Sequence, residues 1–131
     1  MKIIADTNVL LRAVVADDEA QSGSAIEALE SAELVAVGVH SMCEFAWVLR
    51  SVYGFKAAEI GIAMRRLLAA RNVEINRPTV EAGLAMLDAG GDFADGAIAY
   101  EGRWLGAETF VSFDREAVEM LKGQGLSARG L

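Results

Sequence analysis

The sequence predicts an α/β domain in three layers, with helices covering both faces of a parallel sheet. Short apolar runs, KIIA at 2–5, LVAVGV at 34–39 and TFVSF at 109–113, lack the polar alternation of a half-exposed strand and suit a sheet buried on both sides. Segments with helical spacing separate these runs. No linker, repeat or low-complexity tract interrupts the 131 residues, so the chain reads as a single domain over residues 1–131.

The elements follow in order. Strand KIIA leads into NVLLRAVVA, where Val9, Leu10, Ala13 and Val14 recur at helical spacing. The acids of DDE at 17–19 suit the positive end of a second helix, which carries Ile26 and Leu29 along one face. After LVAVGV, a third helix is expected over about 41–53, opened by a capping box from Ser41 to Glu44 and stopped by Gly54. A fourth is expected over about 57–71, followed by a brief strand, VEI, at 73–75. Pro78 suits the start of a fifth helix running to Ala89, and AGGD at 89–92 breaks the chain before a sixth ending near Gly106. TFVSF, a helix from Asp114 that ends at Gly123, and a last edge strand in LSARGL complete the alternation.

Composition narrows the function. Apolar residues make up 53% of the chain; with Gly counted in place of Tyr this becomes roughly 62%, above the usual 45–50%. The surplus suits a face buried against a second copy or a partner. With 19 acids against 12 bases the net charge is −7, so any nucleic-acid contact must be local. No apolar run is long enough to span a membrane, and Asp6 interrupts any signal-like core, so a soluble, cytoplasmic protein is expected. Cys43 is the only cysteine and reads as a small buried thiol.

The acids fall in a pattern. In open parallel sheets ligands bind beyond the carboxyl ends of the strands. Asp6 follows the first strand, Glu44 the second, and Asp114 follows TFVSF; Asp92 and Asp95 open the sixth helix on one face. Each has an ordinary explanation as a helix cap. Capping does not predict their convergence on one sheet edge, where carboxylates repel unless a cation lies between them. Hard oxygen donors without a His or Cys cluster select Mg²⁺ or Mn²⁺, and a metal-activated water is a phosphodiesterase's nucleophile. Arg12, Arg50, Arg103 and Arg115 are candidates for a phosphate-binding rim. Lone His40 reads as incidental. Trp47, Tyr53, Trp104 and Leu105 are placed in core or interface, with base stacking the alternative. A dehalogenase-type phosphatase would want a second Asp where Asn8 stands, a receiver domain finds only Asp6, and no P-loop or G-x-G-x-x-G is present.

With the acids placed, the chain resembles the PIN-domain family, in particular its VapC-type toxin ribonucleases of toxin–antitoxin pairs. The resemblance is carried by ADTNVLL at 5–11, the acid of SMCEFAWVLR, DFADGAIA at 92–99 and SFDR at 112–115. It implies a sheet of four or five parallel strands and a catalytic, Mg²⁺- or Mn²⁺-binding pocket of Asp6, Glu44, Asp95 and Asp114. Asp92, Thr7, Asn8 and Ser112 are implied as supporting residues. It further implies an endoribonuclease acting on RNA, a homodimer, and inhibition by a cognate antitoxin seated in an apolar groove. Gly96 and Tyr100 depart from the alanines frequent in the family, and Gly96 is expected to loosen the helix carrying Asp95. The alternatives are a PIN-like module that binds RNA or protein without catalysis, and a phosphatase.

Overall fold

The computed structural model describes residues 1–131 as seven helices and five strands. They gather into two compact units, Met1–Asn76 and Arg77–Leu131. All strand pairings are parallel, as the unbroken apolar runs predict, and the α/β class holds. Hydrogen bonding groups the strands as a three-stranded and a two-stranded sheet.

The first unit runs β1 (Lys2–Ile4), α1 (Thr7–Val14), α2 (Glu19–Ser31), β2 (Leu34–Val37), α3 (Val39–Ser51), α4 (Ala57–Ala69) and β3 (Val73–Ile75). The sheet order is β1-β2-β3, with Val35 opposite both Ile3 and Val73. Parallel neighbours cannot be joined by a tight turn, so helices make each crossing. Val35 and Val37 of the central strand are buried, as are Leu10, Phe45, Leu49, Ile60 and Met64 from the helices. Edge strand β1 departs from the buried strand expected of KIIA: Ile4 is 87% exposed, and β1 is hydrogen-bonded on one side only.

The start of α3 also differs from expectation. Its N-cap is Gly38, whose missing side chain makes no cap bond. Ser41 therefore lies inside the helix and the expected capping box does not form. Glu44 moves from the first turn to the second. The chain leaves α3 through Val52, and Gly54 at φ +69° makes the left-handed turn just beyond.

The second unit runs α5 (Arg77–Asp88), α6 (Phe93–Trp104), β4 (Phe110–Ser112), α7 (Arg115–Gly123) and β5 (Ala128–Gly130). Strands β4 and β5 pair with Phe110 opposite Ala128, and α7 is their crossover. Met86, Ala99, Val118, Leu121 and Ala128 form this unit's core, flanked by Phe110, Met120 and Leu126. Helices α5 and α6 lie against each other, joined by a turn through Gly90 at φ +95°. A Cβ at Gly96 would stand 2.3 Å from the Ala82 carbonyl oxygen, and one at Gly83 would meet the Phe93 ring at 2.5 Å. Gly96 therefore permits a close helix crossing. The loosened helix expected from the sequence is not what its surroundings indicate.

Candidate active site

Helix starts at the carboxyl ends of strands bring acids into play, and the hydrogen bonds separate those spent on capping from those that are not. A carboxylate N-cap ordinarily accepts from the second or third amide of its helix. Asp18 does so, accepting from the Gln21 amide at 3.0 Å, and Asp114 does so from Ala117 at 3.1 Å. Asp6 accepts only from the next residue, Thr7, at 2.8 Å. Asp92 occupies the N-cap position of α6 without any side-chain cap bond, so the capping role open to it in the sequence is not taken. Capping thus accounts for Asp114 in part, for Asp6 poorly and for Asp92 not at all.

In the first unit, Asp6 is exposed at the start of α1, beside buried Thr7 and exposed Asn8. The cap of α1 is Asp6 itself, which takes that role from Thr7 and Asn8. Glu44 is exposed on α3, and α3 packs against α1. In the second unit, Asp92 and Asp114 are exposed and Asp95 is half-buried. Burial pushes the Asp95 carboxyl above its ordinary range, and repulsion from Asp92 and then Asp114 adds to the rise. Asp95 thus feels the charges of Asp92 and Asp114. Ser112 accepts a hydrogen bond from the Asp114 amide at 2.9 Å, so it orients the backbone of that acid rather than its carboxylate. No group of three or more His, Cys, Asp or Glu side chains lies closely enough together to hold a metal ion.

The other candidates divide. His40 is exposed, and Cys43 is half-buried where full burial was expected. Trp47 and Trp104 are 64% and 78% exposed; neither joins the core as helical aromatics usually do. Arg103 lies 5.9 Å from the centre of the Tyr100 ring, a cation–π contact. Arg12 pairs with Asp17, whose second oxygen accepts from the Tyr53 hydroxyl at 3.1 Å. The sequence carries no signal for that link between α1 and the residues after α3: Asp17 lies past the end of one helix and Tyr53 is 36 residues farther on.

A model of the PIN domain matches residues 3–120. The chain belongs to the PIN-domain family. No curated protein matches it. Among solved structures it is similar to Mycobacterium tuberculosis VapC20, a sarcin-ricin loop cleaving toxin, at 20% identity over 95% of this chain and 96% of that one, with a TM-score of 0.46. No helix of this PIN domain is long and apolar enough to cross a membrane.

The donor chemistry can be tested against the divalent cation that the family implies. Every candidate donor is a carboxylate, the hard oxygen ligand that suits Mg²⁺ or Mn²⁺. A nearby cation favours the charged form of a carboxyl raised by burial and by neighbouring acids. The donor type suits such an ion, although the side chains are not gathered around one point.

Proposed function

We propose that this PIN domain is a Mg²⁺- or Mn²⁺-dependent endoribonuclease, the toxin of a toxin–antitoxin pair, with Asp6, Glu44, Asp95 and Asp114 as its acidic residues. The observation that carries the reading is Asp95, half-buried, with its carboxyl raised first by that burial and then by Asp92 and Asp114. A structural carboxylate gains nothing from such a setting. One that must bind a cation is poised by it, because the same repulsion becomes attraction once positive charge arrives.

A divalent ion bound there would lower the pKa of water toward neutrality and stabilise charge on a phosphodiester. The chain's own residues do the rest. Asp95 supplies the most shielded ligand, so its interaction with the ion is the least weakened by solvent. Asp114 is fixed by two local bonds, its carboxylate to the Ala117 amide and its own amide to Ser112, and so meets the ion without losing rotamer freedom. Asp92, uncommitted to capping, serves at the margin of the site through outer-shell water. Asp6, which caps α1, and Glu44 on α3 are the acids the first unit contributes to the proposal, with Thr7 and Asn8 as supporting residues beside Asp6.

The partners belong to the same reading. An antitoxin segment is assigned to a groove of about 480 Å³ in the first unit, where Leu10, Val14, Phe55, Ile62 and Leu67 leave an apolar trough between α1 and α4. Exposed Trp47, Trp104 and Leu105 supply apolar surface for a homodimer, and the activity is placed in the cytoplasm.

The test is cleavage of total cellular RNA by protein freed of any antitoxin, with Mg²⁺, Mn²⁺ or chelator, beside Asp95→Asn. Discrete fragments that require metal and vanish in the variant are the expected result. Intact RNA from folded protein in every lane overturns the reading and leaves a PIN domain that binds without cutting.

A further inference from the structure

We propose that the open groove between α1 and α2 is a binding subsite for the backbone of single-stranded RNA, with Arg12 as its phosphate contact. The choice of polymer rests on the ribonuclease reading. The groove itself stands on separate observations. It has a volume of about 640 Å³, within the roughly 300–1,000 Å³ of sites that take drug-sized ligands, and a nucleotide is of that size. The protein carries a net charge of −7, yet not one residue lining the groove is acidic. The trough's one arginine is paired with Asp17, so what it offers a polyanion is directed donors on a surface free of lining acids rather than net positive charge.

Local sequence explains the groove. On α1, Asn8 and Arg12 are one turn apart and share a face; on α2, Gln21 and Ser24 do the same. Ala20, Ser24 and Ala28 stand at successive i, i+4 positions, and their short side chains leave the space that longer ones would fill. The polar groups are of the kinds that contact sugar and phosphate: an arginine, two amides and a hydroxyl. Amide and hydroxyl groups can also engage the 2′-hydroxyl that distinguishes RNA from DNA. Asn8 lies two residues beyond Asp6, so a strand lying in the groove reaches the start of α1.

Arg12 is positioned for this. Its Nη1 donates to Asp17 Oδ1 at 2.5 Å, and Asp17 Oδ2 accepts from Tyr53 at 3.1 Å. A guanidinium carries five donors, more than this network takes, so Asp17 and Tyr53 can hold Arg12 in place while further donors face a phosphate.

The experiment measures binding of a labelled single-stranded RNA oligonucleotide to protein carrying Asp95→Asn, in chelator and over a salt titration, so that cleavage does not enter. Added to that background, Arg12→Ala is expected to weaken binding roughly tenfold, the loss of one charge-assisted hydrogen bond. It should also reduce the salt slope by about 0.7, the value for one phosphate contact on a single strand. Ser24→Glu, which puts an acid into the groove on an exposed helical position, should weaken binding at least as much. Arg71→Gln, an equal charge change elsewhere in the first unit, should leave affinity within twofold. Groove variants that bind like the background protein overturn the proposal, and so does a background protein that binds no RNA. Metal-dependent cleavage by the unsubstituted chain, measured in parallel, reports on the ribonuclease reading separately.

Discussion

Substituting Gly96 with alanine tests whether the close crossing of α5 and α6 sets the position of Asp95. The new Cβ would lie 2.3 Å from the Ala82 carbonyl oxygen and 2.8 Å from Met86 Cγ, where ordinary contact begins at 3.4 Å. Met86 can bend away, but the carbonyl is backbone, so the helices must part by roughly 1 Å. Overpacking of this kind costs about 1–3 kcal/mol, against a gain of up to about 1 kcal/mol from replacing glycine in a helix. The net expectation is a loss of about 1–2 kcal/mol. Gly102, on the same helix with nothing within 4 Å of its would-be Cβ, provides the control: alanine there should stabilise by up to about 1 kcal/mol. Urea denaturation of both variants reads the difference. Because Asp95 adjoins Gly96, a displacement of this size should also lower metal-dependent cleavage by roughly a hundredfold. A Gly96→Ala protein as stable as Gly102→Ala, and as active, would refute the argument.

Three further outcomes are expected. The Asp95 carboxyl titrates above its ordinary range in the folded chain, so the native state holds more protons than the unfolded one between the two pKa values. Stability of the metal-free protein should therefore fall as pH rises through that window. Asp95→Asn should flatten this dependence in thermal melts made in chelator, raise the neutral-pH Tm and remove the further stabilisation by Mn²⁺; a variant whose melts follow the parent's at every pH would count against the repulsion. Asp114 is both N-cap and proposed ligand. Alanine there should cost about 1 kcal/mol of stability while asparagine, an equally good cap, costs only a few tenths; both should abolish cleavage, and an active asparagine variant would remove Asp114 from the acidic set. Ile62, 54% exposed at the trough between α1 and α4, should give, as Ile62→Asp, a toxin that cleaves RNA but escapes its antitoxin in a cleavage assay with both proteins present.

Much of the fold was legible because periodicity is a local property. VEI at 73–75 is a strand with those bounds, and the helix breaks at Gly54 and Gly106 fall where their positive φ angles are. The start of α3 was misread because Ser41, Met42, Cys43 and Glu44 form a capping pattern that matters only if the helix begins there; it begins three residues earlier, at Gly38. Burial of β1 was misread because an apolar run does not say how many neighbours its strand has. The significance of Gly96 was misread for a related reason: helix propensity is written in the residue itself, whereas the Ala82 carbonyl that forbids a Cβ belongs to another helix.

The acids show how local and functional readings can be separated. From sequence, Asp6, Asp18, Asp92 and Asp114 are equivalent, each an aspartate before a helix. Hydrogen bonding makes them unequal: Asp18 and Asp114 serve the third amide of their helices, Asp6 reaches only the first, and Asp92 serves none. If capping were the reason for an aspartate at each position, Asp92 would be free to become any other good cap or none. Its charge instead acts on Asp95, raising the carboxyl that burial has already raised. A second carboxylate maintained beside a half-buried acid costs stability in the metal-free chain, and a cation reverses the sign of that cost. Asp18, which caps in the ordinary way and is not among the acids that perturb Asp95, is on the same argument an aspartate for structure alone.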